Sequence, residues 1–351
     1  MNRAELEELE IRVDSDSRVP KYRQIVNSIV DDIRRGALVV GQRIPSINEI
    51  SEEYYLSRDT VEKAYAFLKE KKIIVSARGK GYYVSRTDLT TRTSVLFLLN
   101  KLSPFKLQIF NSFVAAMGEQ AQVDLSVYHG DPRILLNSLN ENTGRYDHYV
   151  IVPHFCDNIP DQNDICLEVI EALRRIPEDK LLVIDNYLPD LQRNVAAVYQ
   201  DFRMDIYEAL QEGLQHLRSY RKLYMVFPRK TVYPFFQDIV RGFRKFCADF
   251  NFDSEVKDNI GETTINEGDA YVVIEESDLV GLIKIMRARD LTPGKEVGVI
   301  SYNDSPLKDL LGITVITTDF QAMGETAAYM ILRKKKDVVK NVFSLIRRNS
   351  L

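Results

Sequence analysis

Residues 56–65 read LSRDTVEKAY. Polar Ser57, Arg58, Asp59 and Thr60 crowd the front, and Val61, Ala64, Tyr65 and Leu68 follow at the three-four spacing of a helix with one buried face. Ser57 suits the position before a helix, because its hydroxyl accepts a backbone N–H from the first turn. The stretch therefore predicts a helix whose hydrogen-bonding side chains gather at its start. Free backbone N–H groups and the positive end of the dipole lie there too, which suits contact with a phosphate.

Upstream, Tyr22, Ile25, Val26, Ile29 and Ile33 predict a helix ending at Gly36. GQRIPS reads as a turn, and Ser46 with Glu49 forms the S-x-x-E of a capping box opening a second helix through Ile47 and Ile50. Downstream, KIIVS and GYYVS predict two short strands joined by the basic, glycine-containing turn Ala77-Arg78-Gly79-Lys80-Gly81. Three helices and a hairpin in this order make a winged helix-turn-helix over 19–86. Its recognition helix enters the major groove with the N-terminal residues foremost. The predicted DNA contacts are Arg43, Ser46, Asn48, Ser57, Arg58, Asp59, Thr60 and Lys63, with Arg78, Gly79 and Lys80 on the wing. Arg58 can fork onto guanine O6 and N7, and Thr60 can bond a phosphate or touch a thymine methyl.

Charge supports a polyanion partner at this end of the chain. Residues 1–18 carry a net −3, residues 19–86 a net +5, and the remainder a net −6. A basic module on an acidic body fits double-stranded DNA as partner of one end only.

The stretch from Val19 to Val84 resembles the DNA-binding domain of GntR-family bacterial transcription regulators. The residues that carry the likeness are Gly36, Gly41, Pro45-Ser46, Ser57-Arg58, Thr60-Val61, Ala64-Tyr65, Leu68 and Gly79-x-Gly81. Asn48 and Glu62 stand where that family often has arginine, so base preference does not carry over.

Residues 1–18 read as an acidic arm and 87–94 as a polar linker. From 95 to 351, apolar runs such as VLFLL, LLVI, AYVVI and VGVIS alternate with amphipathic helical stretches, the pattern of parallel βαβ units. About nine strands fit two doubly wound lobes. The predicted division is lobe 1 at 95–195 and 302–332, and lobe 2 at 196–301 and 333–351. The fold class is α/β, a winged helix-turn-helix followed by a two-lobed, periplasmic-binding-protein-like domain.

Ligands of such sheets bind at the carboxyl ends of the strands. The polar residues there are Ser103 and Lys106, Asp185 and Asn186, Asp201, Glu275, Glu276 and Asp278, and Asn303 and Asp304. Phe105, Tyr187, Phe202, Tyr233 and Tyr302 lie among them. Carboxylates and amides bond sugar hydroxyls, and ring faces cover sugar C–H surfaces. This part resembles the effector domain of LacI/GalR-type repressors, through VLFLLNKLSPFKLQIFNSF, LLVIDNYLP, YPFFQDIVRGFRKF and the segment from Glu276 to Leu307. The resemblance puts Asp278 on a sugar-binding aspartate. It puts Ile239 where a sugar-contacting arginine is usual, so that contact is absent or supplied by a neighbour such as Gln237 or Arg241, and ligand identity does not carry over. Lys106 or Arg241 would suit the phosphate of a phosphosugar. The hinge helix of that family has no counterpart here, and the combination resembles the arabinose-repressor type of GntR regulator.

Other chemistries lack their signatures. There is no G-x-G-x-x-G after the first body strand and no G-x-S-x-G. The four histidines have no metal-ligand spacing, and His148 and His154, flanking a strand, read as structural. Cys156, Cys166 and Cys247 read as reduced thiols. No apolar run is long enough to span a membrane and the N-terminus has no secretory pattern, which predicts a cytoplasmic protein. The expected function is a non-enzymatic, homodimeric transcription regulator, without metal or cofactor, that represses carbohydrate-use genes and answers to a monosaccharide or phosphosugar. The alternative left open is a ligand-blind or protein-gated DNA binder that keeps the lobes as a dimerisation scaffold.

Overall fold

The computed structural model describes residues 11–14, 17, 19–77, 79–85, 92–155, 163–227, 235–261 and 265–351. Two compact units emerge, residues up to Ser94 together with 119–122 and 141–147, and the remainder. By secondary structure the head ends at Val84 and the body opens at Thr93.

The head runs α1 (Lys21–Arg34), β1 (Arg43–Ile44), α2 (Ile47–Glu53), α3 (Arg58–Glu70), β2 (Ile74–Ala77) and β3 (Gly81–Val84). The strands form an antiparallel sheet in the order β1-β3-β2. β1 lies within what reads as a turn, GQRIPS, because Arg43 and Ile44 find partners in Tyr83 and Tyr82. Both helix starts are closed locally. Ser46 Oγ accepts the Glu49 N–H at 3.2 Å and Glu49 Oε2 accepts the Ser46 N–H at 2.5 Å, while Ser57 Oγ accepts the Thr60 N–H at 3.3 Å. The core is the predicted helical faces, Ile25, Ile29, Ile50, Val61, Ala64 and Leu68, each shut off from solvent. Tyr65 packs edge-on against Tyr82 and donates to the Pro45 carbonyl at 2.5 Å. The described part of the acidic arm belongs to the head. Ile11 is buried in this core, the Arg12 N–H donates to Ser28 Oγ, and the Asp14 N–H donates to Gln24 Oε1.

The body begins inside the expected linker, with Thr93 and Ser94 opening β4 (Thr93–Leu99). It continues α4 (Pro104–Met117), β5 (Ala121–Val127), α5 (Pro132–Asn142), β6 (His148–Ile151), α6 (Asn163–Arg174), β7 (Leu181–Asp185) and β8 (Ala196–Tyr199). Then come α7 (Phe202–Glu212), α8 (Leu214–Leu217), β9 (Lys222–Val226), α9 (Phe235–Asp249), β10 (Asp253–Lys257), β11 (Asp269–Val273) and α10 (Glu276–Ala288). Last are β12 (Gly298–Tyr302), α11 (Pro306–Leu310), β13 (Thr314–Thr318), α12 (Phe320–Leu332), β14 (Val338–Lys340) and β15 (Phe343–Ile346).

The body holds two six-stranded sheets, β14-β8-β7-β6-β4-β5 and β10-β9-β11-β12-β13-β15. Each is the centre of one lobe. The division between lobes departs from expectation. Ala196–Tyr199 pairs in parallel with β7 in lobe 1, Thr314–Thr318 pairs with β12 in lobe 2, and Val338–Lys340 returns to the lobe 1 edge beside β8. The chain therefore crosses between lobes at Gln200–Asp201, at Asp319 and at Asn341–Val342. An apolar run looks the same whichever sheet takes it, so its partner is decided by the edge it meets. β10 and β15 carry too little apolar rhythm to stand out in sequence, and β15 pairs antiparallel with β13, whereas β10 pairs in parallel with β9. In lobe 2, Gly242 lets α9 press onto α7, since a Cβ there would strike the Arg203 carbonyl and Ile206.

Cys247 is a buried free thiol, whereas Cys166 is disulfide-bonded, against the reading of reduced thiols. Spacing along the chain does not decide which sulfurs meet in space. No helix among the described residues is long and apolar enough to cross a membrane.

Candidate DNA-binding face and ligand cleft

On the head, Arg43, Asn48, Ser57, Arg58, Asp59, Lys63, Gly79 and Lys80 are exposed, and Ser46 and Thr60 half-buried. Arg78 lies outside the described residues. Ser57 Oγ is 2.7 Å from Thr60 Oγ1, so the first turn of α3 presents a linked pair of hydroxyls. Arg58 Nε donates to Glu62 Oε1 at 2.9 Å, one turn on. Sequence reading passed over this tether, although the i,i+4 spacing signals it. Lys63 lies over the Tyr22 ring at 4.5 Å, which turns its charge toward α1. Gly79 and Gly81 take positive φ, and the Lys80 N–H closes the wing on the Ala77 carbonyl at 2.9 Å. The Ser46 backbone N–H, with the Ser46 hydroxyl, lowers the Glu49 carboxyl, which favours an ionised cap on α2.

In the body, strand ends from both lobes enclose a cavity of about 300 Å³. Of the predicted residues, Ser103, Phe105, Lys106, Asp185, Phe202, Glu276 and Tyr302 line it, as do Glu275 and Asn303. Its centre in lobe 1 is an ion pair of Lys106 Nζ with Asp185 Oδ2. His154 Nε2 reaches the same oxygen at 2.5 Å, and Gln200 Nε2 donates to Asp185 Oδ1 at 2.5 Å. Burial alone would raise the Asp185 carboxyl, but the Lys106 ammonium and the His154 ring outweigh it and hold it far below the usual range. Burial lowers His154, which keeps the imidazole neutral with Nε2–H as donor. Burial also lowers Lys106, opposed by Asp185.

In lobe 2, buried Lys308 donates to the Tyr302 and Asn303 carbonyls, both at 2.9 Å, and lies 3.8 Å from Glu276 Oε1. Phe105 and Phe320 stack at 5.0 Å on the cavity wall. Asp185 and Asn303, in opposite lobes, both hold positive φ at the end of a strand, a conformation uncommon outside glycine.

The other predicted ligand contacts fall elsewhere. Asp278 Oδ1 accepts the Ile260 N–H at 3.0 Å, and Asp201 caps α7 by accepting the Met204 N–H at 3.1 Å. Asp304 is clamped by the two terminal guanidinium nitrogens of Arg348, at 2.9 and 2.8 Å. Tyr187 packs against Tyr199, and neither it nor Asn186 lines the cavity. Gln237 is exposed and Arg241 pairs with Asp238 at 2.8 Å, so neither lines it, and Ile239 is core. Tyr233 lies outside the described residues. Each displaced carboxylate is already bonded, Asp201 at its own helix start, Asp278 to the Ile260 N–H and Asp304 to Arg348. Sequence reading did not find Asn100, Lys101, Gln200, Lys308 or Phe320 in this role, and it took His154 as structural. Gln200 directly follows β8 and His154 lies shortly beyond β6, a position past a strand end that could have marked both.

Residues 21–84 match the model described as bacterial regulatory proteins, gntR family. YtrA, a transcriptional repressor of Bacillus subtilis, is 33% identical over 81 residues, which are 23% of this chain and 62% of YtrA. The chain thus spans less than two thirds of the length of the curated relatives it matches first. The fold of the body is shared with the Escherichia coli repressor ascG (TM-score 0.57, 14% identity, 74% of this chain and 99% of that one). It is shared as well with a LacI family regulator from Lactobacillus casei with bound glucose (TM-score 0.54, 16% identity, 74% and 99%). The chain joins a GntR-type winged helix-turn-helix to a body with the LacI-type, periplasmic-binding-protein-like fold.

Proposed function

We propose that this chain is a sequence-specific transcription regulator whose grip on its operator is modulated by a small sugar held between the two lobes. The carrying observation is a set of three polar atoms at the cavity, shut away from solvent and without a protein hydrogen-bond partner: Asn100 Oδ1 in lobe 1, Tyr302 OH and Asn303 Oδ1 in lobe 2. Buried polar atoms are as a rule bonded. A polyol would satisfy all three, bridging the lobes, while Phe105, Phe202 and Phe320 face its C–H surfaces. Glucose bound in the Lactobacillus casei regulator and the repressor YtrA support the reading.

The head would bind DNA through the first turn of α3 and the wing, as a homodimer acting on two half-sites in the cytoplasm. A ligand bridging the lobes changes their angle and so the spacing of the heads. A coupling of about 1–3 kcal/mol suffices for regulation. No catalytic role or cofactor is assigned. Ile239 is core and neither Gln237 nor Arg241 lines the cavity, so the absent arginine contact still counts for the ligand-blind scaffold as the second reading.

The test is operator binding by anisotropy, on a duplex selected by the protein from a random library, titrated at fixed salt with free and phosphorylated monosaccharides. One sugar should shift the affinity, and its form decides between free and phosphorylated effector. Tight binding that no sugar moves would refute the effector reading, and failure to select any duplex would refute the regulator.

A further inference from the structure

The three chain crossings between the lobes are cross-linked by two buried amides. Asn341, at the third crossing, donates its N–H to the Tyr199 carbonyl at 2.7 Å and its side-chain N–H to the Asp319 carbonyl at 2.9 Å. This brace joins backbone to backbone and touches nothing in the cavity. Gln200, at the first crossing, is different. Its side chain lines the cavity and donates to Asp185 Oδ1, while its carbonyl Oε1 accepts from Thr318 Oγ1. Its own N–H donates to the Asp185 carbonyl at 3.0 Å. Thr318 is the last residue of β13 in lobe 2, immediately before the second crossing. Asp185, Gln200 and Thr318 are all buried. One side chain therefore links the charged centre of the cleft in lobe 1 to the lobe 2 end of a crossing strand.

We propose that Gln200 is a positioning residue of the hinge, setting the angle between the lobes through Thr318 and tying that angle to the state of Asp185. An amide has a donor end and an acceptor end, and both are used. If Asp185 turns to bond a ligand hydroxyl, Gln200 must turn with it, and its hold on Thr318 changes. The link is short and lies in a low-dielectric interior, where such bonds are strong and directional. The placement of Gln200 stands on the fold alone. Its consequence for regulation rests on the reading given under Proposed function.

The test needs no ligand. In the full chain, spin labels are attached through unnatural amino acids at exposed Leu167 on α6 in lobe 1 and exposed Val280 on α10 in lobe 2. This leaves the three cysteines untouched. The interlobe distance distribution is then measured. Thr318→Val keeps the shape of the side chain and deletes the hydroxyl, and it should broaden the distribution or move its mean beyond the wild-type width. Thr318→Ser restores the hydroxyl and should return the wild-type distribution. A purely structural role would lower the melting temperature of Thr318→Val without moving the distance. An unchanged distribution in folded Thr318→Val, or no recovery in Thr318→Ser, overturns the proposal. Should the valine variant not fold, Gln200→Met cuts the same link from the other side and is held to the same criterion. A wild type that answers to no sugar would overturn the effector reading and leave this result standing.

Discussion

Ser46 and Ser57 in the head are not buried and bond residues three positions away, whereas Asp185 in the body is buried and bonds residues 79, 31 and 15 positions away. The two polar centres differ in what holds them. The head's candidate contact face consists of helix starts that cap themselves, so its geometry follows from short stretches of chain. The body's cleft consists of strand ends that meet only once two sheets have formed. A local centre should tolerate substitution with small, additive costs. A network of buried charges should fail steeply when one member is lost, because the remaining members keep their desolvation cost.

The contrast can be broken first at Asp185. Asp185→Ala strands the Lys106 ammonium in the interior, and the body should lose about 3–5 kcal/mol in urea unfolding. A loss below about 1 kcal/mol, the scale of a single cap, would put the two centres in the same class.

A second test is the pH dependence of the body. Burial raises the Asp205 carboxyl to about 6 from 3.8, against the opposing pull of Lys340 at 3.0 Å and with help from Asp201 and Glu208. A carboxyl that holds its proton more tightly when folded stabilises fully below its unfolded value and loses that contribution as pH rises through the folded one. Through this group the body should lose on the order of 2–3 kcal/mol between about pH 4 and pH 6. Urea unfolding across that window checks it, and Asp205→Asn should flatten the slope. Asp185 acts with the opposite sign. Its depressed carboxyl stabilises above its unfolded value, and that contribution goes only as pH falls below it.

In the head, Arg58→Ala should cost about 1–3 kcal/mol of operator binding and relax base choice at one position, with little change in melting temperature. Glu62→Ala sharpens the test. It frees Arg58 from its tether, and unchanged binding would mean that the pair opens on DNA at no cost. The smallest effect on stability is expected for Tyr302→Phe. The hydroxyl has no protein partner, so its removal should leave the melting temperature level or slightly higher while weakening sugar binding. A clear fall in stability would mean that the hydroxyl is held by the folded protein itself.

The head was legible almost residue by residue. Its helices, capping box and hairpin each follow from patterns within a few positions, and the one unread element, β1, is a pair of residues drawn into the sheet by Tyr82 and Tyr83. The body was legible as a class, from alternation of apolar runs with helical stretches. Its lobe division was not, because the strands at 196–199 and 338–340 find their edges only in three dimensions. The cleft was legible in part. Strand ends pointed to Lys106, Asp185 and Tyr302, but the same rule admitted Asp201, Asp278 and Asp304, which a helix start, the Ile260 N–H and Arg348 respectively consume.

The sequence by itself determined the helices and hairpin of the winged helix-turn-helix and the two-lobed α/β character of the body, since these rest on periodicity and on side chains that bond near neighbours. Only the tertiary structure decided which strand enters which sheet and which carboxylate faces the cavity. It also decided that Gln200 and Thr318 meet. Those outcomes depend on distances between residues far apart in the chain, where burial turns a modest polar contact into one that must be satisfied.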